Sequence, residues 1–137
     1  NIYKNCVRQC FIAPSSVMLK KNIFEEVNGF DESFVVCEDY DLWLKISSLY
    51  EIGFIPEALI IKHGGHDDQL SAKFFAMDFW RIKSLLNILN HRSLTEEDKF
   101  ITISFVKERG SILLNGYKKH GDLINSKAIN EILNSFN

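Results

Sequence analysis

Two short clusters concentrate side chains able to move protons or bind a cation. The first is Asp31-Glu32 followed by Glu38-Asp39-x-Asp41. Acids at a helix start are favoured by its unpaired amides and dipole, so Asp31, Glu38 and Asp39 suit helix caps. The same carboxylates suit a general base, because a hydroxyl nucleophile must pass its proton to a group within hydrogen-bond reach. Tyr40 and Trp43, on the same stretch, have the shape either of a stacking wall for a ring or of core aromatics. The second cluster is His63-Gly64-Gly65-His66-Asp67-Asp68-Gln69, where two glycines permit close backbone approach. His63, His66 and Asp67 are divalent-ion ligands by type, although His-x-x-His specifies less than a HExxH helix. Asp67 and Asp68 equally suit the cap of a following helix. Cys6-x-x-x-Cys10 lacks a second pair to complete a zinc site, and Pro14-Ser15-Ser16 has the chemistry of a turn. No Gly-rich phosphate loop, GxSxG elbow or kinase signature occurs.

The elements that must position these groups fall into two halves. From Cys10 to Ile61, Ile23, Phe24 and Val27 predict a short helix closed by Asn28-Gly29, and Leu42, Ile46 and Leu49 a second one. The stretches CFIAP, Ile52-Gly53-Phe54-Ile55 and Leu59-Ile60-Ile61 are short, apolar and bounded by Pro or Gly, which predicts strands. The cluster around His66 would then follow a strand, where open α/β sheets place ligand sites. After Leu70, Phe75, Phe79, Ile82, Leu86 and Leu89 share one helical stripe, predicting a helix over about 71–90. Ile103, Val106, Gly110, Leu113 and Tyr117 define a longer helix capped by Thr95, with Gly110 admitting a close neighbour. Ile129, Ile132, Leu133 and Phe136 mark the last. The expected fold class is α/β, or α+β for this span, with a mixed unit over 1–69 and a helical extension over 70–137 docked on it.

Composition sets the outer bounds. The 137 residues are 46% hydrophobic and 25% charged, with a net charge of −2, which excludes intrinsic disorder and any global positive field for nucleic acid. No apolar run is long enough to span a bilayer, and the start lacks a secretory apolar core. Three cysteines in a chain able to form an ordinary core favour a reducing, cytoplasmic setting.

The order of motifs is more specific than any one of them. APSSVMLKKNIFEEVNGFDESFVVCEDYDLWLKI, followed by IKHGGHDDQLS, resembles the carboxyl-terminal half of a family 2 glycosyltransferase of the A-type, nucleotide-diphospho-sugar transferase fold. The tail from SAKFFAMDFWRIKSLLNIL to NGYKKHGD is similar to a helical extension of bacterial members. The resemblance implies a partial A-type fold of short strands and helices, with Asp39 as base and Glu38 beside it. It makes Ser15, Ser16, Asp31 and Trp43 acceptor-side residues and His66, or alternatively His63, a ligand of Mg²⁺ or Mn²⁺. The partners implied are a nucleotide-sugar donor and a glycan-type acceptor, in cell-envelope polysaccharide synthesis at the cytoplasmic side of the membrane.

The nucleotide-binding βαβ half and the Asp-x-Asp motif of such enzymes are not in this sequence, nor is an initiator methionine. The expectation is a truncated enzyme, inactive alone, whose exposed strand edges drive it to a homodimer. Asp39 and His66 are expected to face one cleft. The rival readings are a metal-dependent phosphohydrolase using His66-Asp67 and a non-catalytic helical interaction module.

Overall fold

A computed structural model describes residues 2–61, 63, 77–90 and 94–136. The regular elements are α1 (Tyr3–Arg8), a 3₁₀ turn (Pro14–Ser16), α2 (Lys21–Glu26), α3 (Glu38–Leu49), α4 (Met77–Leu89), α5 (Glu96–Lys119) and α6 (Leu123–Asn134). α5 packs along both α4 and α6, α3 lies against α4, and α1 bridges α3 and α5.

This corrects the expected α/β class and the partial A-type fold with short strands. Among the described residues there is no strand and no sheet: residues 9–13 and 51–56 run as irregular chain, as do 58–61. A strand needs a neighbour to take its amides and carbonyls and a layer to cover its apolar side chains. Much of these apolar runs lacks such cover among the described residues, with Phe54 86%, Leu59 73% and Ile61 83% exposed, while Cys10, Ile12 and Ile52 pack against the core. An alternation of apolar residues between Pro and Gly has the composition of a strand whether or not a pairing partner lies nearby.

α3 is the centre of the core. Tyr40, Leu42, Trp43, Leu44 and Ile46 are all buried, because α1 and α4 cover different sides of this one helix. Asp41 is buried on it too and is held by Lys45 one turn on, Nζ to Oδ2 2.7 Å. Tyr40 donates from its hydroxyl to the Val7 carbonyl, 2.6 Å, and Tyr3 shares a 2.8 Å hydrogen bond with Thr102, so α1 is tied to both α3 and α5. Burying two phenols is tolerable only because each finds a partner.

The helical tail follows the expected periodicity with a shift. On α4 the fully buried positions are Ile82, Ser84, Leu85 and Ile88, with Phe79, Leu86 and Leu89 half-buried. α4 meets α3 on one side and α5 on another, so its buried face is broader than one stripe. The portion of that helix expected before residue 77, including Phe75, lies outside the described residues. Thr95 caps α5 by accepting from the Asp98 amide, and Asp122 caps α6 by accepting from Asn125. A Cβ on Gly110 would lie 2.8 Å from Leu133 Cδ2, which is the close α5–α6 approach the glycine permits.

The turn after α2 explains its own residues. Asn28 and Gly29 both hold positive φ, 59° and 58°, a left-handed pair that reverses the chain and lets the Gly29 amide donate to Phe24 O at 2.8 Å. A Cβ on Gly29 would stand 2.7 Å from Phe24 Cζ. Gly29→Ala is therefore expected to cost about 1–2 kcal/mol from the left-handed conformation alone, read as a lower urea midpoint with an unchanged slope.

Candidate functional site

The Glu38–Asp39 pair opens α3. The helix starts from Cys37, whose own φ is +64° and whose side chain makes no capping hydrogen bond. Asp39 is half-buried, and its Oδ1 accepts from the Tyr40 amide at 2.7 Å. It thus takes up one amide of the first turn, as the capping reading requires, and leaves a second carboxylate oxygen. Capping and proton transfer are compatible roles for one carboxylate.

Around this pair the fold gathers groups from two distant stretches, Cys10 and the head of α4. The Cys10 thiol is a hydrogen-bonding neighbour of Asp39, and its pKa is pushed up to about 12 by burial first and by the Asp39 charge second. Cys37 is pushed up to about 11, again chiefly by burial, against a lowering pull from the Arg81 guanidinium. Its thiol also lies 3.9 Å from the Met77 carbonyl, which joins the head of α3 to the head of α4. Tyr40 is raised strongly by burial. Protonated thiols are poor nucleophiles and metal ligands, so neither cysteine here is suited to either role.

These shifts have a consequence for stability. Tyr3 is raised to about 12 from 10.0, mainly by burial. Cys10 and Cys37 rise to about 12 and 11 from 9.0. Each group is neutral in the fold and ionises at lower pH once exposed, so the unfolded state holds fewer protons in alkali. The stabilisation is complete below the unfolded values and is lost as pH rises from about 9 through the native values. The urea midpoint is expected to fall progressively between pH 9 and 12. A flat midpoint over that window would mean the thiols and phenol are not buried together.

The other residues singled out from sequence distribute around this centre. Ser15 and Ser16 sit exposed on the 3₁₀ turn, Ser16 Oγ donating to Ala13 O at 2.8 Å. Asp31 accepts from the Ser33 amide at 2.9 Å, and hydrogen bonding from the Ser33 side chain first and from its amide second lowers the Asp31 pKa. Lys83 Nζ contacts Ser33 Oγ at 3.1 Å and lies 4.5 Å from the centre of the Phe34 ring, so the Asp31 turn is fastened to α4. Trp43 is buried in the core at 5% exposure, its indole Nε1 without a hydrogen-bond partner among the described residues. His63 is exposed, and His66, Asp67 and Asp68 lie outside the described residues. An open cleft of about 400 Å³ lies at the other end of α3, lined by Ile2, Ser47, Tyr50 and Ile52 among others. Tyr50 is 11 residues from Asp39, about 16 Å along a helix, so this cleft is separate from the carboxylate pair.

Sequence reasoning passed over Arg81 and its partners. Arg81 Nη1 donates to Asp78 Oδ1 at 3.1 Å, and Arg109 Nη1 stands 3.9 Å from Asp78 Oδ2. The one available clue was an arginine within an apolar helical stripe, FWRIK, which pattern reading assigns to a solvated edge.

No family model matches the chain, and no solved structure does. The chain is similar to a protein of Rickettsia felis named "Uncharacterized glycosyltransferase", 30% identical over 122 residues, which cover 82% of this chain and 19% of the relative. A Rickettsia conorii protein likewise named an uncharacterized glycosyltransferase is 30% identical over 126 residues, 87% of this chain and 20% of the relative. A third, from Rickettsia bellii, is 38% identical over 61 residues, 44% of the chain. The chain thus spans about a fifth of the length of the first two relatives. Among the described residues no helix is long and apolar enough to cross a membrane.

Proposed function

We propose that this chain is the acceptor-side portion of an inverting glycosyltransferase akin to family 2, with Asp39 as its general base. The observation that carries the reading is the Glu38–Asp39 pair at the head of α3, with Asp39 half-buried and one oxygen not taken by the Tyr40 amide. The step is a single displacement. Asp39 takes the proton of an acceptor hydroxyl, whose oxygen forms a bond to the anomeric carbon of a nucleotide-diphospho-sugar. The bond from that carbon to the diphosphate oxygen breaks, and the diphosphate leaves with the electron pair. Attack from the face opposite the leaving group inverts the centre.

The Asp31 turn and Ser15–Ser16 form the acceptor side, and the setting is glycan synthesis for the cell envelope. Mg²⁺ or Mn²⁺ belongs to this proposal for the whole enzyme, where it would offset charge on the departing diphosphate. Among the described residues no group of three or more His, Cys, Asp or Glu suits a metal ion, so no step is routed through one. Incubating the full-length protein with a panel of nucleotide-sugars and following the anomeric proton by NMR tests the reading. A product of opposite anomeric configuration to the donor supports it, and retention of configuration sinks it.

A further inference from the structure

We infer that Arg81, braced through Asp78 by Arg109, is the cationic contact for an anionic oxygen of the substrate beside Asp39, a phosphate or a carboxylate. The inference rests on the proposed transferase reading and adds to it a residue on the opposite wall of the same site. Arg81 lies just past the first turn of α4, and Arg109 reaches it from the middle of α5. Two guanidinium groups converge on a single carboxylate: Asp78 receives Arg81 Nη1 at 3.1 Å and has Arg109 Nη1 at 3.9 Å. Two guanidinium charges against one carboxylate leave one positive charge over within this trio, and the exposed Glu108 lies 4.0 Å from Arg109 Nε.

The donors are also incompletely used. Nε of Arg81 and Nε of Arg109 are both buried and make no hydrogen bond among the described residues. The side chains of Arg81, Asp78 and Arg109 are 28%, 24% and 33% exposed, so the trio is reachable from solvent yet shielded enough for its charge to act at short range. Arg109 is fixed from behind by the Phe105 ring, 5.1 Å from ring centroid to guanidinium carbon. A planar guanidinium held on one edge by a carboxylate presents its other donors in a fork that matches phosphate and carboxylate oxygens.

The Arg81 side chain belongs to the same end of the fold as the head of α3, since it stands one turn beyond Met77, whose carbonyl is 3.9 Å from the Cys37 thiol. Its charge acts on Cys37, Tyr40 and Cys10, and Asp39 acts on both of those thiols. The helix start that carries Asp39 therefore stands beside the helix start that carries Arg81. An anionic group bound by Arg81 would sit within reach of a hydroxyl activated by Asp39. A purely structural role, neutralising the acidic head of α3, is the alternative the experiment must separate.

Calorimetric titration of the full-length protein makes that separation, with inorganic pyrophosphate standing for the donor's leaving group and glucuronate for an acidic acceptor. Arg81→Met is expected to weaken one of the two by about tenfold or more, and Arg81→Lys, which keeps the charge but loses the fork, by an intermediate factor. Loss confined to pyrophosphate assigns the donor side, and loss confined to glucuronate the acceptor. Unchanged affinity for both in Arg81→Met, whatever happens to its melting temperature, overturns the inference, as does failure of the wild type to bind either. Should Arg81→Met not fold, Arg81→Lys decides, and wild-type affinity in that variant is the overturning result. Binding is read without turnover, so failure here leaves Asp39 as base untouched. Conversely, full transfer by Asp39→Asn would remove the base while leaving an Arg81 anion contact standing.

Discussion

Asp39→Asn in the full-length protein is expected to lower sugar transfer by about 10²–10⁴-fold, the range a positioned general base supplies. The substitution is nearly isosteric. The Asn carbonyl oxygen can still accept from the Tyr40 amide, the 2.7 Å bond that Asp39 Oδ1 makes at the start of α3. What disappears is the basic oxygen, together with a favourable charge at a helix N-terminus worth about 0.3–1 kcal/mol. The melting temperature should therefore shift by a few degrees at most while transfer collapses. Initial rates at saturating donor and acceptor, measured beside thermal unfolding, check both halves of this expectation. An undiminished rate would move the base elsewhere. A collapse in melting temperature would mean that Asp39 serves chiefly as a cap.

The largest expected effect on stability belongs to the helix that carries that carboxylate. Leu44 has no exposed surface and lies midway along α3. Leu44→Ala removes three carbons from a packed site that can relax only partly, at a cost of about 2–5 kcal/mol. For a domain of ordinary stability, about 5–15 kcal/mol, that is a substantial fraction of the total. Phe54→Ala, at a position 86% exposed, is expected to change stability by no more than about 0.5 kcal/mol. Urea unfolding of the two variants makes the comparison, and a similar midpoint shift in both would contradict the placement of α3 at the centre. Because Asp39 rides on α3, Leu44→Ala should also reduce transfer, through looser positioning of the carboxylate.

The corrected strands show where reading a sequence stops. Ile23, Phe24 and Val27 announced α2, and Asn28-Gly29 announced its end. The same kind of reasoning applied to Ile52–Ile55 and Leu59–Ile61 announced strands that the described residues do not form. A helix closes its hydrogen bonds within its own segment, so spacing alone carries much of the information. A strand closes them with another segment, and no feature of IGFIP records whether that segment is present.

The candidate site divides along the same line. Residue types and local order marked Glu38 and Asp39, because acids at a helix head have a local electrostatic reason to be there. They marked Thr95 as a cap and Gly110 as a place where some neighbouring helix comes close, while that this neighbour is α6 was settled by packing. Cys10, Arg81 and Arg109 stand 29, 42 and 70 residues from Asp39 along the sequence, and nothing local to any of them points to the others. Their assembly depends on α4 crossing α3 and α5 lying along α4. The burial of Trp43 and the raised pKa values of the thiols arise from the same packing. Periodicity and caps are written within a few residues because their interactions span one helical turn. The charge pattern around Asp39 is decided only when separate helices exclude water between them, since that exclusion turns distant residues into neighbours and lets their fields act.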